Sequence, residues 1–278
     1  MRNPTCILAA TCLASTLTVP AFAETVNCTS ITTLPYTISV QGVYCLTGDL
    51  VTGITSGAAI TVATNNVTID LNGYKVGGQA AGAGTDARGI VASNRSNVRI
   101  HNGIVRGFRY GVSLYLGSGH VIENMLLDFN TEKGIDVSYA NGVIVRGNRV
   151  NNTGGTTFGV DVYGIYVLAG SGVRVLDNDV ATTARNSANT GSAYGIRVMA
   201  SPAFIDNNRV SDSSDYGIYS SNNSDVTLVN NRILNSIAGG SIGLRTNAGP
   251  SIHKDNIVTG FTTPFSASID GGGNVSAP

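Results

Sequence analysis

A chain of 278 residues with 17 basic and 17 acidic side chains is electrically balanced, which excludes the broad basic surface that recruits nucleic acid or an anionic membrane. Its 35 glycines, 12% charged residues and absence of tryptophan, with short β-branched runs bounded by Gly, Asn and Asp, exclude long amphipathic helices and point to an all-β fold.

The chain opens on MRNPTCILAATCLASTLTVPAFA. One early cation (Arg2), an apolar middle and the small-residue end Ala21-Phe22-Ala23 have the layout of a secretory signal, residues 1–23, cleaved near Ala23. The apolar run from Cys6 to Val19 is short for a bilayer span and is broken by threonines, so no membrane insertion is expected. The mature protein is expected to be secreted or periplasmic. Cleavage removes one basic residue and no acidic one, leaving a net charge of −1. It also removes Cys6 and Cys12. Cys28 and Cys45 remain, an even pair in an exported chain, and a disulfide between them is expected. Two free thiols are the competing reading.

Residues 24–54 read as a short N-terminal β cap carrying that disulfide. Residues 55–260 hold eight copies of one unit. Each begins with a phrase small-φ-x-φ, where φ is apolar: AAITV, RGIVA, YGVSL, KGIDV, YGIYV, YGIRV, YGIYS and IGLRT. A turn and an alternating strand follow, such as NVTIDL (66–71) or GVRV (172–175). Each copy closes on Asn-x-apolar, at Asn72, Asn102, Asn124, Asn148, Asn178, Asn208, Asn231 and Asn256, in steps of 22 to 30 residues. A restated phrase of this period signals a solenoid. Three strands per unit, each stacking on its copy one repeat away, make a single-stranded right-handed parallel β-helix of about eight coils. Residues 261–278 read as a C-terminal cap and tail.

By alternation, Ile135, Val137, Ile165, Val167, Ile196 and Val198 point inward. Tyr110, Tyr163, Tyr194 and Tyr216 share their parity and are expected inward as a ladder. The glycines beside them are then expected on the outer face. Asparagine tolerates a left-handed bend and bonds local backbone. The eight asparagines are therefore assigned to the corner and to an amide ladder.

Phrases such as NVTIDLNGYKV (66–76) and NVRIHNGIVRGF (97–108) resemble the right-handed parallel β-helix superfamily, pectate-lyase-like in the broad sense. The resemblance covers about residues 55–260. It implies fold, and it spans lyases, hydrolases, epimerases, phage tailspikes and non-catalytic surface modules. It also implies a substrate groove along the first strand of each coil, walled by the loops that enter it.

On that strand the outward position reads Thr61, Val91, Ser113, Asp136, Tyr166, Arg197, Tyr219 and Arg245. Tyrosine faces can stack on sugar rings and arginine can fork a uronate carboxylate, so the stripe suits an acidic polysaccharide. The long inserts 77–87, 151–162 and 181–193 all enter at one edge, as binding loops on solenoids do. They bring Phe158, Asp161 and Arg185 toward the stripe. Lyase or epimerase chemistry needs a base and carboxylate neutralisation. Asp136, Arg197 and Lys133 are the catalytic candidates, and Tyr166, Tyr219, Arg245 and Asp161 the substrate contacts. Asp136 with Asp161 could hold Ca2+. The Asn-Thr-Asp, Asp-Asp and Gly-His-Gly set, the Asp-Pro-His-Asp run and the Arg-x-Pro-x-x-Arg signature are all missing from the sequence. His101, His120 and His253 read as scattered solvated side chains off the groove. A monomer is expected. The competing reading of function is a non-catalytic glycan-binding or envelope and surface structural module.

Overall fold

The computed structural model describes residues 27–187, 189–221, 225–237, 240–246, 250–266 and 269–277. The expected signal segment lies outside the described residues. Each repeat phrase forms the first strand of a coil. These strands stack into one ten-stranded sheet, from Tyr36–Ile38 through Ala58–Val62, Arg88–Ser96, Tyr110–Ser118, Lys133–Ser138, Val162–Leu168, Ala193–Met199, Tyr216–Ser220 and Ile242–Thr246 to Thr263–Ser266. The second and third strands merge in a 19-stranded sheet, because segments such as Val98–Arg106 and Val121–Asp128 stay paired through the corner. The neighbouring coils pair in parallel. The protein is a right-handed parallel β-helix, as the repeat implies. Among the described residues, no helix is long and apolar enough to cross a membrane.

The ladder extends one rung beyond the eight phrases at each end. Tyr36–Ile38 pairs with Ile60–Val62, and Thr263–Ser266 pairs with Ile242–Arg245. Neither rung carries the glycine phrase. The segment 24–54 therefore holds a coil of the solenoid from Tyr36 onward, and strands of the tail 261–278 continue the ladder. A disulfide joins Cys28 to Cys45. It ties the lead-in to Gly42–Leu46, against which Thr29–Ile31 already pairs.

The core is a stack of identical positions. Ile60, Ile90, Val112, Ile135, Ile165, Ile196, Ile218 and Leu244 are fully buried, one above the next. Each such side chain stabilises the fold by roughly 1.5–3 kcal/mol relative to exposure.

The corner uses two positions where one was expected. In the first three coils, Asn72, Asn102 and Asn124 take the left-handed bend, with φ of 49°, 58° and 52°. From the fourth coil on, the bend falls one residue earlier, on Gly147, Asp177, Asn207, Asn230 and Asp255. The asparagines that follow form a separate ladder: Asn148, Asn178, Asn208, Asn231, Asn256 and Asn274, each amide Nδ2 donating to the next Oδ1 at 2.9–3.0 Å. Each of these oxygens also accepts a backbone N–H from the coil before. Met125 sits at the same position one coil below Asn148 and donates its N–H to the Asn148 Oδ1. Bend and ladder are thus separate tasks at adjacent positions.

The glycine of each phrase faces inward, opposite to expectation. A Cβ on Gly164 would overlap Val180 Cγ1 and the Gly195 carbonyl oxygen. Gly134, Gly195, Gly217 and Gly243 meet Val150, Val210, Ile233 and Val258 in the same way. Glycine is required here because the third strand crosses close behind the first, a demand of space. Glycine and the following isoleucine both face the core, so the alternation breaks between them. The tyrosine before the glycine is thereby returned to the outer face.

On the outside of the second strand, Glu123 lies buried between Arg99 and Arg146, whose Nε atoms both donate to it. Burial alone would raise its pKa. The hydrogen bonds from Arg146 and Arg99 outweigh that and hold the carboxyl below its ordinary value of 4.5. A depressed folded-state pKa gives stability that is present above the unfolded value and lost as pH falls through the folded one.

Three outcomes are expected. Asn208→Ala leaves the Asn178 N–H and the Val175 carbonyl without the partner they have now, and should cost about 1–3 kcal/mol. Gly164→Ala should cost a similar amount, about 1–3 kcal/mol, by overpacking. Urea unfolding midpoints check both, and an unchanged midpoint in either variant contradicts the assignment. Glu123→Gln should be less stable than the parent near neutrality, and should lose less stability on acidification through about pH 4. Equal acid sensitivity of the two proteins would refute the clamp's role.

Candidate functional site

The outward stripe is in register. Thr61, Val91, Ser113, Asp136, Tyr166, Arg197, Tyr219 and Arg245 are successive cross-strand neighbours on one face. Beside them runs a second row, whose tyrosines parity had placed in the core. Arg88, Tyr110, Lys133, Tyr163, Tyr194 and Tyr216 are likewise neighbours in order. The inward glycines turn these side chains outward, where their rings meet those of the first row.

The two rows interlock. Tyr163 packs on Tyr166 at 4.4 Å between centroids and on Tyr194 at 5.2 Å. Tyr194 stacks on Tyr216 at 4.7 Å, and Tyr219 contacts both at 5.7 and 5.4 Å. Cations sit on the remaining ring faces. Lys133 Nζ lies 4.5 Å from the centroids of both Tyr110 and Tyr166. The Arg197 guanidinium lies 4.8 Å from Tyr194 and 5.3 Å from Tyr219, and Arg245 caps Tyr219 at 5.2 Å. Ring faces are thus taken up by other rings and by cations. What the platform offers a ligand is ring edges, hydroxyls and guanidinium N–H groups, rather than the open faces expected from the sequence.

The expected catalytic residues fall into two ion pairs within this platform. Lys133 Nζ donates to Asp136 Oδ1 at 3.1 Å, and the same carboxylate accepts from Ser138 Oγ at 3.1 Å and from Ser113 Oγ at 3.0 Å. Arg197 Nη1 donates to Asp161 Oδ2 at 3.3 Å and to Tyr163 Oη at 3.1 Å, while Tyr163 Oη donates to Asp161 Oδ2 at 3.0 Å. Asp161 Oδ1 accepts the Ser192 N–H at 2.8 Å. The Asp136 side chain is 7% exposed and that of Asp161 is 34% exposed. Asp161 is therefore the carboxylate that a ligand in the groove can reach, and Asp136 is a sealed support for Lys133.

The inserts build a wall at the strand entrances. Arg109 bonds both Asp86 and Glu132 and lies over the Phe158 ring at 4.5 Å. Asn186 Nδ2 donates to the carbonyls of Gly155 and Thr156, and Asn189 Nδ2 to that of Val160. Arg185 pairs with Asp215 at 3.7 Å rather than joining the stripe. Apart from Asp161, the acidic wall residues were a signal missed in the sequence. Asp86, Glu132, Asp161 and Asp215 each precede a repeat phrase by one or two positions.

Burial and neighbouring charge set the protonation of the platform. Burial pushes the Tyr163 phenol far above its ordinary value, and Arg197 only partly offsets this. Tyr110, Tyr166 and Tyr194 are raised too, burial being the main cause. All four stay protonated at neutral pH, as donors. Burial works against the Arg197 charge, but Tyr163, Tyr194, Tyr166 and Asp161 together hold it protonated.

The donor set does not fit calcium. The oxygens of Asp136 already accept from Lys133, Ser113 and Ser138, and Asp161 is neutralised by Arg197. Among the described residues, no three His, Cys, Asp or Glu side chains come together in a metal-binding group. Two of the three histidines are not solvated, while His101 is half-buried beside Asp70. His120 and His253 are buried. His120 accepts the Val98 N–H through Nδ1, and burial lowers its pKa.

Known proteins share this architecture. A family profile described as the right-handed beta helix region matches residues 88–189 and 169–275. No curated protein matches the chain. Among solved structures, the tailspike protein of Dettilon is similar at 14% identity and a TM-score of 0.54, over 88% of this chain; the chain spans 59% of the tailspike's length. An alginate lyase from Paenibacillus sp. is similar at 13% identity and a TM-score of 0.48, over 87% of this chain and 96% of that one. The A-module of a mannuronan C-5 epimerase from Azotobacter vinelandii is similar at 14% identity and a TM-score of 0.43, over 83% of each chain. At these identities the likeness is one of fold. Parallel coils in register, an inner asparagine ladder and a profile match from residue 88 to residue 275 lead to one conclusion: the chain belongs to the right-handed β-helix family.

Proposed function

We propose that this protein is an exported monomer that binds a glycan along the outer face of its first-strand sheet, with acidic polysaccharide as the preferred class. The observation that carries the reading is the partly exposed Asp161–Tyr163–Arg197 cluster. It sits at the floor of a walled, preformed face and combines carboxylate, phenol and guanidinium, the groups that bond sugar hydroxyls and carboxylates. Adjacent coils repeat about every 4.8 Å, so two coils match the length of roughly one disaccharide.

The preference for acid rests on the ends of the face. Five basic side chains (Arg88, Arg109, Lys133, Arg197, Arg245) meet four carboxylates (Asp86, Glu132, Asp136, Asp161), an excess of one positive charge. Arg88 and Arg245 have no carboxylate partner among the described residues. They are free to fork a uronate.

The geometry favours binding over turnover. Lys133 is held by Asp136 and by two rings, Arg197 is held by Asp161, and Tyr110, Tyr163, Tyr166 and Tyr194 remain protonated, so none of these groups is a free base. A second reading is supported by Tyr163. A phenol held protonated against Asp161 and Arg197 is placed to donate a proton, which lyase or epimerase chemistry also requires.

Calorimetry with polygalacturonate and alginate, beside a neutral mannan, tests the first reading. Arg245→Ala should weaken the uronate chains by about tenfold, near 1.4 kcal/mol, and leave mannan unaffected. Equal affinities for acidic and neutral chains, unchanged by the substitution, would remove the acidic preference. Incubation of the parent protein with the same uronate chains, with and without calcium, should yield no unsaturated or epimerised product. Product that disappears in Tyr163→Phe would establish the second reading instead.

A further inference from the structure

Beyond the platform, the wall contains a cavity of about 620 Å³. It is lined by Arg185, Ser187, Asn189, Thr190, Ser214 and Asp215, with Asn186. It opens where two platform strands begin. Asp215 directly precedes Tyr216, and Asp215 Oδ2 accepts the N–H of Ala193, the residue before Tyr194. We infer that this cavity is a side subsite that receives an uncharged sugar branch of the glycan whose backbone lies on the platform. The inference rests on the glycan-binding reading of the groove and adds to it a preference for branched chains.

Three observations carry it. The first is chemistry. Among the described residues every one that lines it is polar, and none of these presents a large apolar surface. Hydroxyls and one guanidinium are the partners of a hydroxyl-rich ligand. The volume is within the range of small-ligand sites, roughly 300–1,000 Å³.

The second is charge. Arg185 and Asp215 stand 3.7 Å apart, and together they leave the cavity electrically neutral. The Arg185 Nη1 also donates to the Gly191 carbonyl at 2.6 Å. A carboxylate or sulfate group would have to compete with Asp215 for the one cation. A neutral hexose or pentose does not.

The third is preorganisation. The amides of Asn186 and Asn189 are turned away from a ligand and tie the loop to its neighbour, at the Gly155, Thr156 and Val160 carbonyls. The Asn189 Oδ1 fixes the Gly191 N–H at 2.8 Å. The loop is thus fastened before any ligand arrives, which lowers the ordering cost of binding. Ser187 and Thr190 are exposed at the cavity, and they offer hydroxyls to a ligand that enters it.

Calorimetry on the full mature chain with paired probes tests the inference. The pairs are linear mannan against galactomannan, and polygalacturonate against rhamnogalacturonan bearing neutral side chains. The parent protein should bind each branched member about tenfold or more tighter than its linear partner. Thr190→Trp fills the cavity from an exposed loop position. It should abolish that difference and leave the affinity for the linear chains unchanged. Ser187→Trp should do the same, and keeps the test intact if Thr190→Trp misfolds. Linear and branched chains bound equally by the parent, or an advantage for branches that survives both substitutions, overturns the side subsite and leaves the groove reading standing. Failure to bind any of the four probes overturns both.

Discussion

Parallel stacking in register is the constraint on which everything else rests. Each position in a coil meets its own copy one inter-strand spacing away, about 4.8 Å. Identical residues are favoured wherever like attracts like. Isoleucine stacks on isoleucine in the core, amide bonds to amide from Asn148 to Asn274, and ring stacks on ring from Tyr163 to Tyr216. Identical charges are disfavoured for the same reason, and Arg209 facing Arg232 on exposed third strands is an exception. Two like charges at one coil spacing repel by about 1 kcal/mol in water, and several-fold more near a protein surface. The outer stripe therefore alternates. Arg197 lies between Tyr166 and Tyr219, and Lys133 between Tyr110 and Tyr163. The mixed face is a consequence of the stacking rule as much as of any ligand.

The sequence reveals what repeats and hides what breaks the repeat. The glycine phrases give the fold, the register of the stripe and the inward isoleucines directly. The terminal rungs are hidden because Tyr36–Ile38 and Thr263–Ser266 keep the strand but lose the glycine. The orientation of Tyr163 is hidden by a local event. Strict alternation places it with Ile165, but Gly164 spends an inward position without a side chain, because Val180 stands behind it. Strand parity cannot be counted through such a residue. The corner is hidden similarly. The repeat offers one asparagine per coil for both bend and ladder, yet the left-handed residue and the buried amide are neighbours, and Gly147 or Asp177 can bend the chain as well as Asn207 does.

The same correction changes the chemistry of the site. Inward tyrosines would have left a sparse outer stripe of single residues. Outward tyrosines make a two-row platform in which cations sit on rings and carboxylates sit on cations. Such a platform is stable and preorganised, and burial keeps its phenols protonated. Those properties suit recognition, where fixed donors cost little to align. They work against general-base chemistry, which needs a group able to give up its existing partner.

Discrimination must then come from the parts of the chain that do not repeat. A solenoid with uniform coils presents the same groups at every step and can measure length, but it cannot fix a register. The inserts at 77–87, 151–162 and 181–193 break that uniformity. They seal Asp136's end of the face with the Arg109–Glu132–Asp86 cluster and leave Asp161 open. The last of them borders, with Ser214 and Asp215, an open neutral cavity beside Tyr216. On the glycan-binding reading proposed above, a chain lying on the platform would meet the Arg109 cluster, an open carboxylate and a lateral cavity in fixed order. That order, set by three loops on an otherwise periodic scaffold, would align one segment of a glycan against Arg197 in preference to its neighbours.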